Sequence, residues 1–292
     1  MKRFLGIKYS PTDIRLLFSF KSSLIKRLLR GLVYITAVTA ILLYMEQKDI
    51  FHIQISNALP GYMGAALGLL LVFRNNTAYD KWWEARKELG ALVNISRNFA
   101  IDINGLLPPG SKEKTRIATL LTCFIYALKE HLRNGVKMKD MQDLEDADYK
   151  IIEQAQHKPS AIANLIMARI EILWKEKILT DMQQYLLVTK INTLIDICGK
   201  CERIRNTPIP IAYGLLLKFF INIYVILLPI GLSHDLGWGA LPLEIILYYV
   251  MMSIVLTAEE IEEPFGKDLN DLPFDEMAGK MKVNIQEIIS YE

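Results

Sequence analysis

Residues 59–73 read L-P-G-Y-M-G-A-A-L-G-L-L-L-V-F, and residues 74–88 continue R-N-N-T-A-Y-D-K-W-W-E-A-R-K-E. The first half is apolar and full of small residues. The second half is charged and aromatic, and no helix breaker separates the two. A four-residue step puts Gly61, Ala65, Leu69 and Phe73 on one helical face, with Gly64 and Gly68 on the neighbouring one. A helix with Gly and Ala at that spacing can approach its neighbours closely, as helices in membranes do. Arg74-Asn75-Asn76 marks the water boundary, and Trp82 and Trp83 lie a little beyond it.

The rest of the chain agrees with a membrane setting. Hydrophobic residues make up 52% of the 292 residues, and the mean hydropathy is +0.22, high for a water-soluble protein. Charged residues still reach 23%, so a sizeable water-exposed part accompanies the apolar helices. A net charge of +2 gives no basis for a nucleic-acid partner, which needs basic residues gathered on one face. Residues 1–30 are basic but broken by charge, and do not read as a cleavable signal peptide.

Hydropathy places four membrane helices at about residues 28–46, 58–80, 209–232 and 238–257. The uncharged run of the first, Gly31 to Met45, is short of the roughly 20 residues a span needs, but Leu28 and Leu29 can extend it, and Lys26, Arg27 and Arg30 can snorkel. Between the second and third lies a water-exposed helical region, about 82–208. Pro108-Pro109-Gly110 breaks it, and helices are expected to start at Ser111, Pro159-Ser160 and Thr180-Asp181. Residues 138–149 read as loop or a short helix, and 258–292 as an acidic, polar tail. The whole chain reads as a single domain, 1–292, of the all-α membrane class. Basic residues gather at the N-terminus, at 74–87 and at Arg203 and Arg205, while the connectors 46–57 and 233–237 hold one Lys between them. By the positive-inside rule both termini and the middle region are cytoplasmic.

Catalytic motifs are missing from the sequence. The four histidines, His52, His131, His157 and His234, are scattered, and there is no His-Glu-x-x-His, phosphate loop or nucleophile elbow. The chain is therefore not expected to be an enzyme. Cys198-Gly199-Lys200-Cys201 has CxxC spacing, yet no βαβ context or further zinc ligands accompany it, so two small residues a helical turn apart is the plainer reading. Lys218 and Asn222 interrupt the third span. Either they serve a pore, or Lys218 stands at the cytoplasmic boundary. Glu259, Glu260, Glu262, Glu263, Asp268 and Asp271 follow the fourth span. They are either a solvated exit from the membrane or a hard-cation site, since calcium takes six to eight oxygen ligands. The face Gly61–Ala65–Leu69–Phe73 is either helix packing or, with several copies around an axis, a stack of apolar rings that excludes water and ions.

Three strings carry a resemblance: F-R-N-N-T-A-Y-D-K-W-W-E-A-R-K (73–87), C-E-R-I-R-N-T-P-I-P-I-A-Y (201–213) and E-E-I-E-E-P-F-G-K-D-L-N-D-L-P (259–273). In this order they resemble bacterial bestrophins, a family of pentameric ion channels. The resemblance implies a ring of five subunits, each with four transmembrane helices and a cytoplasmic helical bundle. It implies passive conduction of small inorganic ions, with chloride-like anions favoured over cations, across a bacterial inner membrane. The family's apolar neck matches Ala65, Leu69 and Phe73, and Ala65 is smaller than the usual occupant. Its cytoplasmic aperture falls near Met182. The calcium clasp of eukaryotic members matches Glu260, Glu263, Asp268 and Asp271, with Glu standing where amides are usual; otherwise no cofactor is implied. A membrane-anchored carboxylate-metal enzyme using Glu259–Glu263 and a non-conducting membrane scaffold are the rival classes. The topology has a direct test: cysteines at Gln47→Cys and Asp235→Cys should react with an impermeant thiol reagent from outside the cell, and labelling only from inside would reject it.

Overall fold

The computed structural model describes residues 3–4, 7–8, 22–48, 50, 58–136, 138, 141, 144–268 and 270–291. A two-residue ladder pairs β1 (Arg3–Phe4) with β2 (Ile7–Lys8). Everything else of regular structure among the described residues is helical. The helices are α1 (Ser22–Gln47), α2 (Ala58–Leu106), α3 (Lys112–His131), α4 (Asp146–Gln154), α5 (Lys158–Lys175), α6 (Asp181–Asn206), α7 (Ile211–Leu236), α8 (Ala240–Ile261) and α9 (Phe274–Ser290). Most of the expected connector 46–57 lies outside the described residues, as do His52 and the side chain of His234.

Helix boundaries follow local chemistry. Pro60 sits in the first turn of α2, where its missing N–H has no intrahelical partner to lose. From there the helix runs unbroken for 49 residues, through the apolar run and on past the two tryptophans. Beyond it, Pro108 and Pro109 cannot continue the ladder, and Gly110 takes a left-handed φ of +69° that a side chain would resist. Thr180 and Gln183 close a reciprocal capping box on α6. At α5 the cap is not Ser160 but His157, whose side chain accepts the Ser160 N–H.

The described residues form two compact units, with α2 contributing 58–82 to the first and 83–106 to the second. The first unit also holds 208–263 and 268–271. In it α1 packs against α7 and α8, around Leu28, Ile35, Leu217, Ile221, Val225, Tyr248 and Val255. Leu67 and Leu71 of α2 join the same core, and the Tyr213 hydroxyl donates to the Leu70 carbonyl at 3.2 Å. Within the apolar layer, the Thr39 hydroxyl donates to Glu244 Oε1 at 2.9 Å, where both side chains are buried. Nearer the far end, Ser233 donates to Glu46 and Trp238 to Gln47.

Three stretches are long and apolar enough to cross a membrane by length and composition: Leu28–Gln47, one within Asp181–Ser233, and Gly237–Ile261. The middle one spans α6 and α7, of which α7 is the apolar part. The run Leu59–Phe73 is not among them, because Arg74 ends it short of roughly 20 residues. The connector after α7 is also shorter than expected: helix continues to Leu236, Gly237–Gly239 make one 3-10 turn, and α8 begins at Ala240.

The second unit comprises 83–207, 264–267 and 272–292. In it α3 packs on α5 and α9, and α5 on α6. Phe99, Phe124, Ile117, Leu121, Ile125, Leu128 and Phe274 are fully buried there. The polar tail expected at 258–292 is therefore corrected. Phe274, Ala278, Met281 and Ile285 recur at helical spacing and bury one face of α9. That periodicity is present in the sequence, masked by the acidic residues around it.

One close approach in the first unit was not anticipated. A Cβ on Gly31 of α1 would overlap the hydroxyl of buried Tyr248 on α8, whereas Gly61 faces open space. Gly31→Ala should lower the melting temperature of detergent-solubilised protein, by about 1–3 kcal/mol of overpacking. Gly61→Ala should be tolerated by the subunit fold. Adding Tyr248→Phe to Gly31→Ala should recover much of the loss, and no recovery would place the strain elsewhere.

Candidate functional site

The two faces of α2 within the first unit behave differently. Leu67, Leu71 and Arg74 are buried, and a Cβ on Gly64 would press on the Tyr224 hydroxyl of α7. The subunit's own packing thus uses the Gly64–Leu67–Leu71 face. Gly61, Ala65, Leu69 and Phe73 all lie on the other face, exposed. Leu69 is 58% exposed and Phe73 56%, so this stripe is not part of the packing inside one chain. Met182 belongs to the second unit, in the first turn of α6, and is 76% exposed.

At the lower end of the same apolar layer sits an acidic corner. Arg74 is buried, and its Nη2 donates to Glu262 Oε2 at 2.5 Å. The other oxygen of Glu262 accepts the Ile209 N–H at 2.7 Å. Trp82 Nε1 donates to the Asn270 carbonyl at 3.0 Å. Lys218 pairs with Glu259 at 2.5 Å, beside the last turn of α8, which fits the boundary reading of this lysine. Arg74, Ile209, Lys218, Glu259 and Glu262 line a cavity of about 610 Å³, together with Glu260, Glu263 and Asp268.

All four clasp-like positions come together here. Asp271 and Glu260 are buried, and Asp271 Oδ1 and Glu260 Oε1 have no hydrogen-bond partner. The Asp268 N–H donates to Asp271 Oδ2 at 2.5 Å. Burial pushes the Asp271 carboxyl from its ordinary 3.8 up to about 6; that N–H pulls it down, and the charges of Asp268, Glu260 and Glu263 push it further up. Glu259 and Glu262 of the corner meet Lys218 and Arg74, while Asp271 lies among the charges of Asp268, Glu260 and Glu263. Unpartnered buried carboxylate oxygens are the donor set a hard cation uses.

Elsewhere the sequence expectations fare unevenly. Cys198 and Cys201 are buried in α6, and burial pushes both thiols up to about 12, the pair lying close enough to the Glu202 charge to feel it. They stay protonated near neutral pH, which makes them inert packing residues. The histidines are not all scattered. His131 and His157, far apart in sequence, both meet Glu202 at 2.6 Å. No local motif announces that convergence, since the three residues sit on three different helices or caps.

The three strings of sequence singled out above meet in these units. Arg74 and Trp82 come from the first, Ile209 from the second, and Glu262 and Asn270 from the third. The chain matches the family described as Bacterial/Fungal Bestrophin protein across residues 7–287. It is a bestrophin.

This bestrophin is 33% identical over 228 residues to a voltage-dependent anion channel-forming protein of Synechocystis sp., covering 76% of this chain and 74% of that one. It is also 33% identical over 258 residues to a protein of the same description from Nostoc sp., covering 87% and 83%. Among solved structures it is similar to a bacterial bestrophin homologue from Klebsiella pneumoniae, with a TM-score of 0.86 at 26% identity, over 92% of this chain and 99% of that one. The similarity spans both units.

The Asp271 carboxyl makes a pH signature. Its pKa in the fold lies above the ordinary value, so the folded protein holds this proton more tightly than the unfolded chain does. The resulting stability is present at low pH and is lost as pH rises through about 6. Asp271→Asn should therefore raise the melting temperature at about pH 8, by on the order of 2 kcal/mol, and the gain should vanish near pH 4. An equal gain at both pH values would show that the carboxyl is not raised.

Proposed function

We propose that this bestrophin is a channel that conducts small monovalent anions such as chloride passively, along the axis of a ring of identical subunits, five by likeness to the family. The single observation that carries the reading is the exposed stripe of Ala65, Leu69 and Phe73, set on the opposite side of α2 from the subunit's core. One copy of such a helix cannot enclose a pore, but several copies around an axis give stacked apolar rings. A narrow hydrophobic constriction empties of water and closes to ions, and a small widening rewets it. Leu69 and Phe73 form the tight rings in this reading, and Ala65 a wider outer one.

Apolar rings do not select the sign of an ion, so the preference for anions rests on the relatives, which are described as anion channel-forming. Each subunit contributes four membrane helices, at about 28–46, 58–80, 209–232 and 238–257, to a multi-pass protein of the bacterial inner membrane with both termini cytoplasmic. The short second span then sits inside the ring, where it is shielded from lipid by its neighbours and does not need the full length of a lipid-facing helix. Exposed Met182 forms the cytoplasmic aperture. No covalent chemistry is involved. Calcium, where it binds, is held by Glu260, Glu263, Asp268 and Asp271; the two unpartnered oxygens there support this. A bound dication would neutralise the crowded carboxylates and brace the turn that follows α8.

Planar-bilayer recordings of the purified protein test the reading. In a potassium chloride gradient the reversal potential should lie near that of chloride; a value near that of potassium would reverse the selectivity. Leu69→Ala and Phe73→Ala should each raise conductance several-fold, because they widen the neck. Silence in the wild type and in both variants would favour a non-conducting scaffold.

A further inference from the structure

His131 is the last residue of α3, His157 caps α5, and Glu202 lies near the end of α6, all within the second unit. The Nε2 atoms of both imidazoles lie 2.6 Å from the same oxygen, Glu202 Oε1. The ring centroids are 4.7 Å apart at an interplanar angle of 61°, so both rings aim at one point rather than stack. All three side chains are only partly buried, which leaves a path from water. The basic residues nearby are engaged elsewhere: Arg203 with Glu84, and Arg205 with the carbonyls of His131 and Arg133. Among the described residues, no Lys or Arg pairs with Glu202.

We propose that His131, His157 and Glu202 form a binding site for a borderline-soft divalent transition metal, of which zinc is the representative. Two imidazoles and one carboxylate are a three-ligand set that leaves a fourth, tetrahedral position for water. A hard ion such as calcium or magnesium prefers oxygen ligands and is excluded by the nitrogens. The ligand atoms lie within 4.8 Å of one another. Coordination at roughly 2.0–2.1 Å sets tetrahedral ligands about 3.3 Å apart, so the carboxylate has to back away by a little over half an ångström to admit the ion. A side-chain rotation of the half-exposed Glu202 supplies that.

The site carries a built-in marker of occupancy. His157 Nδ1 accepts the Ser160 N–H at 3.1 Å. That bond places the imidazole proton on Nε2, where it points at Glu202. A metal on Nε2 requires the proton on Nδ1 instead, so the proton changes nitrogen with none released, and Ser160 loses its acceptor. Metal uptake thus releases the cap of α5 while tying together the end of α3, the start of α5 and the last turns of α6.

The test uses the full-length protein in detergent, stripped with chelator and titrated with Zn2+ or Co2+ at neutral pH. One ion per chain should bind, Co2+ should give the intense visible absorption of a four-coordinate site, and Zn2+ should raise the melting temperature. Glu202→Gln keeps an oxygen that accepts both imidazole N–H groups, so it should fold like the wild type yet lose affinity by on the order of tenfold or more. His131→Asn should behave likewise and stands in if that variant does not fold. Exchange of the Ser160 amide should quicken on Zn2+ addition. No zinc response in the wild type, or an equal response in Glu202→Gln and His131→Asn, would leave a carboxylate shared by two imidazole donors and overturn the metal site. Conduction does not enter these measurements, so their failure leaves the channel reading intact.

Discussion

A buried guanidinium sets the terms for the first unit. Arg74 terminates the apolar run of α2, and its side chain is folded inward, where Glu262 meets it with charge. Such a pair is weak evidence of net stability, because two ions have to be dehydrated to make it. Losing one partner is another matter, since it strands the other charge in a poor solvent. The second oxygen of Glu262 then holds the Ile209 N–H, just before α7 begins. Pro208 and Pro210 flank that residue and can donate nothing, so the one available N–H of the approach is spent on this carboxylate. Three chain segments, around residues 74, 209 and 262, are thereby fixed at one corner.

That corner also explains the two-faced behaviour of α2. Turning Arg74 inward commits Leu71 and Leu67, roughly one and two turns before it, to the core, with Gly64 giving α7 room to approach. The opposite face, with Leu69 and Phe73, is left exposed among the described residues. An exposed apolar stripe is unremarkable on a lipid-facing helix. On a helix whose apolar run is too short to face lipid along its length, it calls for other protein around it. The rotation of α2, and through it the composition of any pore lining, thus follows from a salt bridge at the end of its apolar run.

Carboxylates wholly or partly out of water are handled in four ways among the described residues. Glu262 is neutralised by an arginine. Glu244 sits in the apolar layer with a hydroxyl, Thr39, as its described donor. Asp271 has neither among the described residues, and burial favours the protonated carboxyl, which raises its pKa. The last arrangement leaves room for a cation to do what the proton does. Glu202 in the second unit adds a fourth arrangement, with two imidazoles supplying the N–H groups.

Local chemistry was legible from the sequence: the capping box at Thr180 and Gln183, the break at Pro108-Pro109-Gly110, the uncharged runs of α7 and α8, and the four-residue stripe of α2. Each depends on residues within a turn or two, where backbone geometry dictates which side chains are neighbours. The helix α9 was equally local and was hidden only by its acidic surroundings. Family membership was readable too, because three separated strings were specific as a set. What no stretch of sequence could decide is which far-apart groups would meet: Arg74 with Glu262, His131 and His157 with Glu202, Gly31 with Tyr248. Those meetings depend on how whole helices pack, and packing is decided by the summed fit of many side chains rather than by the few that end up in contact.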